Sequence, residues 1–250
     1  MVLEGRRSVL GRALRVLDSF TADASTLTLS DISRRAELPV STTFRLVTEL
    51  AEWGALERSP SGTYRVGLRL WEVASLAPRA VGVRHIALPF IQDLYEITHH
   101  SVHLAVREGD ELVFVERLIG RNAPIRRPRI GGRYALHATG VGLVLLAHAP
   151  ADLQESVLSA PLHVFTPYTY RTERDLRKAL ADVRQRGYAV SDRQVNPEMV
   201  AVAAPVHGHR NEVIAALSVV VPHEEADPAK LSQLVRTTTR AISRSCGAPR

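Results

Sequence analysis

The chain has 250 residues, 45% hydrophobic and 23% charged, a composition that suits a folded protein of about two domains and excludes disordered or fibrous classes. Its single cysteine, Cys246, excludes a disulfide framework and favours a reducing cytoplasm; no signal peptide and no uncharged apolar run of about 18 residues is present, so no membrane partner is expected. The net charge of +6 permits nucleic-acid binding without establishing it, because residues 1–70 hold ten Arg against eight Asp or Glu, a difference of +2.

From Ser8, the apolar residues Val9, Leu10, Ala13, Leu14, Val16, Leu17 and Phe20 recur at helical spacing, with Arg12 and Arg15 on the other side. A polar break follows. Ser30 is expected to cap a second helix that buries Ile32 and Ala36 and exposes Arg34 and Arg35. Leu38-Pro39-Val40 forms the turn, because Pro39 discourages helix at Leu38. Ser41 is then expected to cap a third helix, with Phe44, Leu46 or Val47, and Leu50 on its buried face and Trp53 behind them. Gly54 stops it, and Ala55–Arg58 and Thr63–Val66 flank a Pro/Gly turn as a β-hairpin. Helix, helix, reading helix and hairpin is the order of a winged helix-turn-helix, whose third helix enters the major groove of double-stranded DNA. Its exposed residues Ser41, Thr42, Thr43 and Arg45 are short polar groups and a guanidinium, suited to phosphates and base edges. Arg45 is the candidate base reader; Thr42, Thr43, Arg34 and Arg65 are candidate phosphate contacts, with Ser41 and Arg35 beside them.

Leu68, Leu70, Trp71, Val73, Ala74 and Leu76 surround a connecting helix that Pro78 is expected to end. A connector apolar on more than one side favours packing against a second copy of itself. Beyond Val83, Ile86 to Ile97 describe a helix, and Ser101–Val106 and Glu111–Glu116 alternate as hairpin strands. Helices are expected at Gly140–His148, Ala151–Leu158, Glu173–Arg186 and Pro228–Ser243, and strands at Met199–Val206 and Val213–Val221. Strands in hairpins with interspersed helices argue an α+β domain on an antiparallel sheet. The domains are therefore read as 1–67, a linker helix 68–82, and 83–250.

Nothing points to catalysis or to a cofactor. The chain lacks a Gly-x-Ser-x-Gly elbow, a P-loop and a dinucleotide-binding glycine motif. His99, His100 and His103 stand where side chains alternate, so they do not share a face as a metal site would need, and Cys246 has no nearby His.

Several ordered motifs carry a resemblance. Leu38-Pro-Val-Ser-Thr-Thr-Phe-Arg-Leu-Val, Gly54-Ala-Leu, Tyr64-Arg-Val-Gly and Leu68-Arg-Leu-Trp resemble the N-terminal domain of the IclR (isocitrate lyase regulator) family of bacterial transcription factors. Gly131-Gly-Arg-Tyr-Ala-Leu-His-Ala-Thr-Gly-Val-Gly, Arg186-Gly-Tyr-Ala-Val-Ser-Asp, Val202-Ala-Ala-Pro-Val and Ala215-Ala-Leu-Ser-Val are similar to its effector domain. The resemblance implies a GAF-like second domain with a small-molecule pocket, a dimer that helps form a tetramer, and a near-palindromic operator. Carried over by motif, the pocket is Arg126, Tyr134, Gly140, Val141, Asp192, Met199, Ala201, Ala203, Ser218 and Val220. Ala135, Leu143 and Ala201 stand where the family often has Pro, Lys and Cys, so the lining is more apolar than a small keto acid prefers. Six arginines and no Asp or Glu lie between Arg117 and His148. They form either a solvated loop or a segment that sends Arg126 to an anionic ligand, a hydroxybenzoate in preference to a short aliphatic keto acid. A sensor or interaction module that binds no DNA is the other reading kept open.

Overall fold

The computed structural model describes residues 8–21, 23–121 and 129–249, with backbone alone for 78–81. The chain divides into two compact units that meet between Ala77 and Pro78.

In the first unit, α1 (Val9–Asp18) opens on Ser8, whose Oγ accepts from the Gly11 N–H at 2.9 Å. β1 (Thr26–Leu27) leads into α2 (Leu29–Ala36). Its cap is Thr28 and not Ser30: Thr28 Oγ1 accepts from Asp31 N–H, and Asp31 reaches back to Thr28, a reciprocal capping box. Thr28 wins because it is the residue still extended as β1 ends, whereas Ser30 is already helical. Glu37 turns the chain in the left-handed region (φ 54°), and Pro39, with φ near −56°, starts α3 (Val40–Trp53) without any side-chain cap. Ser41 therefore sits exposed inside the first turn. Gly54 (φ 87°) ends α3, and β2 (Leu56–Arg58) and β3 (Tyr64–Val66) form the wing, with β1 on the other edge of β3. Val16, Ile32, Ala36, Leu46, Val47, Leu56 and Tyr64 make the core. α4 (Leu68–Ala74) closes the unit and buries none of its residues.

The expected 68–82 helix is two elements: α4 ends at Ala74, and Pro78 begins α5 (Pro78–Thr98) instead of ending a helix. A proline lacks only an N–H that the first turn leaves unused, so it starts a helix as readily as it stops one. In the second unit, β4 (Ser101–Glu108), β5 (Glu111–Leu118), β6 (Arg133–Ala135), β7 (Ala189–Asp192), β8 (Met199–His207) and β9 (Val213–Pro222) form one antiparallel sheet in the order β6-β5-β4-β9-β8-β7. One face, with Val102, Leu104, Val202, Leu217 and Val219, is covered by α5 and α9 (Pro228–Ser245). The opposite face, with Ala105, Phe114, Ala203 and Ala216, is covered by α6 (Gly140–Ala147) and, through it, α8 (Glu173–Arg186); α7 (Ala151–Ser159) packs on α8. Every residue of α6 is buried, as expected for a helix without a polar side held between a sheet and another helix.

Candidate functional site

The reading helix α3 presents Ser41, Phe44 and Arg45 to solvent, with Thr42 half-buried. Its buried face is Thr43, Leu46 and Val47. Two expectations change. Phe44, expected inside, is 53% exposed, as is Val40 one turn earlier. Thr43, expected to reach phosphate, is 0% exposed and donates its hydroxyl to the Pro39 carbonyl at 3.0 Å. The cause is the helix start at Val40, which turns Thr43 inward in step with Leu46 and Val47, three and four residues on. Arg45 has no hydrogen-bond or ion-pair partner among the described residues. Arg34 is tied to Asp31 and Arg65 to Glu57, each at 2.7 Å on the surface. Thr28 and Arg34 hold the Asp31 carboxyl below its usual pKa, and Arg65 does the same for Glu57. Exposed pairs of this kind are weak, so a phosphate can compete for both guanidinium groups. Arg35 donates to the Ser19 carbonyl at 2.7 Å and so ties α2 to the end of α1.

The second unit contains a cavity of about 120 Å³ between the sheet and the start of α6. Register builds its floor. Arg117, His103 and Ser218 lie side by side on β5, β4 and β9, and Ala203 on β8 continues their row beneath Gly140; Ser101, Val220, Ala201 and Ser191 form the next row, on β4, β9, β8 and β7. Thr139 caps α6 by accepting from the Gly142 N–H at 3.0 Å, which leaves the Gly140 and Val141 N–H groups without an intrahelical acceptor at the cavity wall. Gly140 rests on β8: a Cβ there would lie 3.2 Å from the Ala201 methyl and 3.3 Å from that of Ala203. Ser191 donates to the Ala138 carbonyl at 2.7 Å and fixes the approach to the helix.

Tyr134, Gly140, Val141, Met199, Ala201, Ser218 and Val220, named from the sequence, line this cavity together. Ala203 does not, because Gly140 covers it. Asp192 does not either: strand alternation turns it away from the side of Ser191, and it pairs with Arg193 at 2.9 Å and with His223 at 3.4 Å. Arg193 holds its carboxyl below the usual range, with His223 contributing less. Arg126 lies outside the described residues. Sequence reasoning missed Ser101, His103, Phe114, Arg117 and Asn196. Counting back from the β4–β5 turn, where Glu108 faces Glu111, would place Glu116 opposite His103; a bulge between Leu104 and Ala105 shifts the pairing and sets Arg117 there instead. Glu116 then turns to the other face and meets Arg84 at 2.7 Å. Of the other histidines, His99 lies edge-on to Tyr95, and His100 faces Glu225 at 3.6 Å.

Burial, and to a lesser degree the Arg117 charge, push the His103 pKa down to about 4 from 6.5. A lowered folded-state pKa means that folding favours the neutral ring. The contribution is therefore complete above about pH 6.5 and is lost as the pH falls toward 4, up to about 3 kcal/mol over that window. Thermal melts at pH 7 and pH 4.5 check this: the wild type should lose more stability between them than His103→Phe. Equal losses would refute the assignment.

Residues 9–60 match the IclR helix-turn-helix domain, and residues 77–244 match the family described as bacterial transcriptional regulator IclR C-terminal. The chain is 33% identical over 243 residues to the HTH-type transcriptional regulator XynR of Escherichia coli, covering 95% of this chain and 96% of that protein. It is 33% identical over 227 residues to the regulator BhcR of Paracoccus denitrificans, with coverages of 90% and 81%. An IclR homologue of Microbacterium hydrocarbonoxydans, solved with 4-hydroxybenzoate, superposes with a TM-score of 0.91 at 37% identity, covering 96% of this chain and 99% of that one. The Thermotoga maritima IclR superposes with a TM-score of 0.79 at 26% identity, covering 95% and 98%. With a reading helix in a winged first unit, a cavity in the second, and both halves matched, the chain belongs to the IclR family of bacterial transcriptional regulators.

Proposed function

We propose that the second unit senses an aromatic carboxylic acid of the hydroxybenzoate type, and that the acid alters how the first unit binds DNA. The observation that carries this is the cavity: Phe114, Tyr134, Val141, Met199 and Val220 offer apolar surface, and Gly140 and Val141, whose N–H groups have no intrahelical acceptor, line the same space at the start of α6. Arg117 in the lining adds positive charge to the role read for Arg126 in the sequence. The M. hydrocarbonoxydans relative with bound 4-hydroxybenzoate supports the same class.

In this reading Arg45 and Ser41 face base edges, and Thr42, Arg34 and Arg65 face the backbone. Two copies bind a near-palindromic operator, assembled through the apolar surface that the first unit leaves uncovered. That surface includes Leu10 on α1 and Trp71 (68% exposed) and Leu76 (80%) at α4. The second units extend the dimer to a tetramer. The protein acts in the cytoplasm on genes for breakdown of the acid it senses, and the acid shifts the equilibrium only by binding one DNA-competent arrangement better than another.

A thermal-shift panel of benzoates, hydroxybenzoates, pyruvate and glyoxylate tests the effector class. A ligand at 100 times its Kd stabilises by about 2.7 kcal/mol. Stabilisation by hydroxybenzoates is expected. A response confined to the short keto acids overturns the aromatic reading, and no response to any acid overturns the effector reading.

A further inference from the structure

The mechanism proposed above uses one end of the cavity, the start of α6. Most polar groups elsewhere in the lining are already engaged. Ser101 accepts from Gly120 N–H, Ser191 donates to Ala138, and Asn196 accepts from Glu198 N–H. His103 and Ser218 differ. Adjacent on β4 and β9, they line the cavity, and neither side chain has a hydrogen bond among the described residues. The His103 ring stands at a T-shaped angle to Phe114, with centroids 5.4 Å apart. Both side chains open onto the cavity without a protein partner among the described residues, so a ligand held there can supply one.

The position of the pair says which part of the ligand arrives. Gly140 rests on β8, His103 stands on β4, and β9 lies between them. Two strand spacings put the backbones of β8 and β4 about 9–10 Å apart, so the two ends stand on well-separated strands. A benzene ring with groups at opposite ends, hydrogen-bonded at each, spans that interval; an acid of two or three carbons does not. The neutral imidazole beside Arg117 accepts a proton, and the Ser218 hydroxyl donates or accepts as needed. A hydroxyl group satisfies both at once.

We infer that His103 reads a hydroxyl at the end of the effector opposite its carboxylate, so that the effector class is para-hydroxylated aromatic acids. This rests on the effector reading above and narrows it. A ligand lacking the hydroxyl covers the half-buried imidazole without giving it a partner, which disfavours the analogue.

The test is calorimetric titration of the full chain with 4-hydroxybenzoate, 3-hydroxybenzoate and benzoate, in the wild type, His103→Phe, His103→Leu and His103→Gln. The wild type should bind 4-hydroxybenzoate roughly tenfold or more tighter than benzoate. Either apolar variant should bring the two acids within about threefold, chiefly by weakening 4-hydroxybenzoate, and His103→Gln should restore part of the preference. Because each ratio is internal to one variant, a general loss of stability does not mimic the result, and His103→Leu serves where His103→Phe does not fold. A wild type that binds both acids equally, or an apolar variant that keeps the full ratio, overturns the His103 inference while leaving the aromatic effector class intact. A wild type that binds no aromatic acid overturns both.

Discussion

Gly142→Ala is expected to lower the melting temperature by roughly 6–12 °C, the equivalent of about 3 kcal/mol or more. A Cβ at this position would run into the carbonyl oxygen of Leu136 and lie 2.6 Å from Thr139 Oγ1. Neither obstacle can move cheaply. The Leu136 carbonyl belongs to backbone in the approach to α6, and Thr139 Oγ1 is the cap that accepts the Gly142 N–H. Relief would pull the start of α6 away from the floor of the cavity, so ligand response should fall along with stability. Gly140→Ala provides the contrast. Its new methyl would meet the Ala201 and Ala203 methyls at 3.2 and 3.3 Å and the Ala201 carbonyl oxygen at 3.3 Å, a tightness that shifts of a few tenths of an ångström relieve. Scanning calorimetry on the full chain decides the matter: a Gly142→Ala protein melting within about 2 °C of the wild type would show that α6 is not seated as described.

Arg45→Ala is expected to abolish preference at one base pair of each operator half-site. A guanidinium bidentate to guanine is worth roughly 1–3 kcal/mol of discrimination. In the twofold complex proposed above the loss occurs twice, so affinity for the preferred site should fall by roughly 2–6 kcal/mol. Arg65→Ala should act differently, weakening all sequences alike and lowering the salt dependence by roughly one ion per half-site, because a phosphate contact positions without specifying. Selection of bound sequences from a random duplex pool with the wild type and each variant separates the two behaviours. If the Arg45→Ala protein enriches the same sequence as the wild type, Arg45 does not read bases.

Periodicity together with cap and turn residues located α1, α2, α3 and the wing, because each is a short amphipathic element bounded by such residues. The caps were less legible. Thr28 and Ser30 are both hydroxyl residues within one turn, and Pro39 and Ser41 both open a helix acceptably. Which one acts depends on where the preceding backbone leaves the extended region, a matter of tertiary constraint at β1 and Glu37. The packing of α3 on α1 and α2 chose the flank of the helix that faces inward, which placed Thr43 rather than Phe44 beside Leu46 and Val47. Two-residue β1 and three-residue β6 carry too few side chains for any alternation to show.

The pocket divides along the same line. The glycines that let α6 lie against β8, the capping threonine and the small residues of β8 form local motifs, and a motif needs only neighbours in sequence. Family and general architecture were therefore settled by the sequence itself. His103, Arg117 and Ser218 come from three strands. Their meeting depends on pairing register, and one bulge in the β4–β5 hairpin puts Arg117 rather than Glu116 beside the imidazole. Side chains alternate with period two, so a single-residue shift exchanges a carboxylate for a guanidinium in the cavity lining. That choice, and with it the charge and selectivity of the cavity, was made only by the folded sheet.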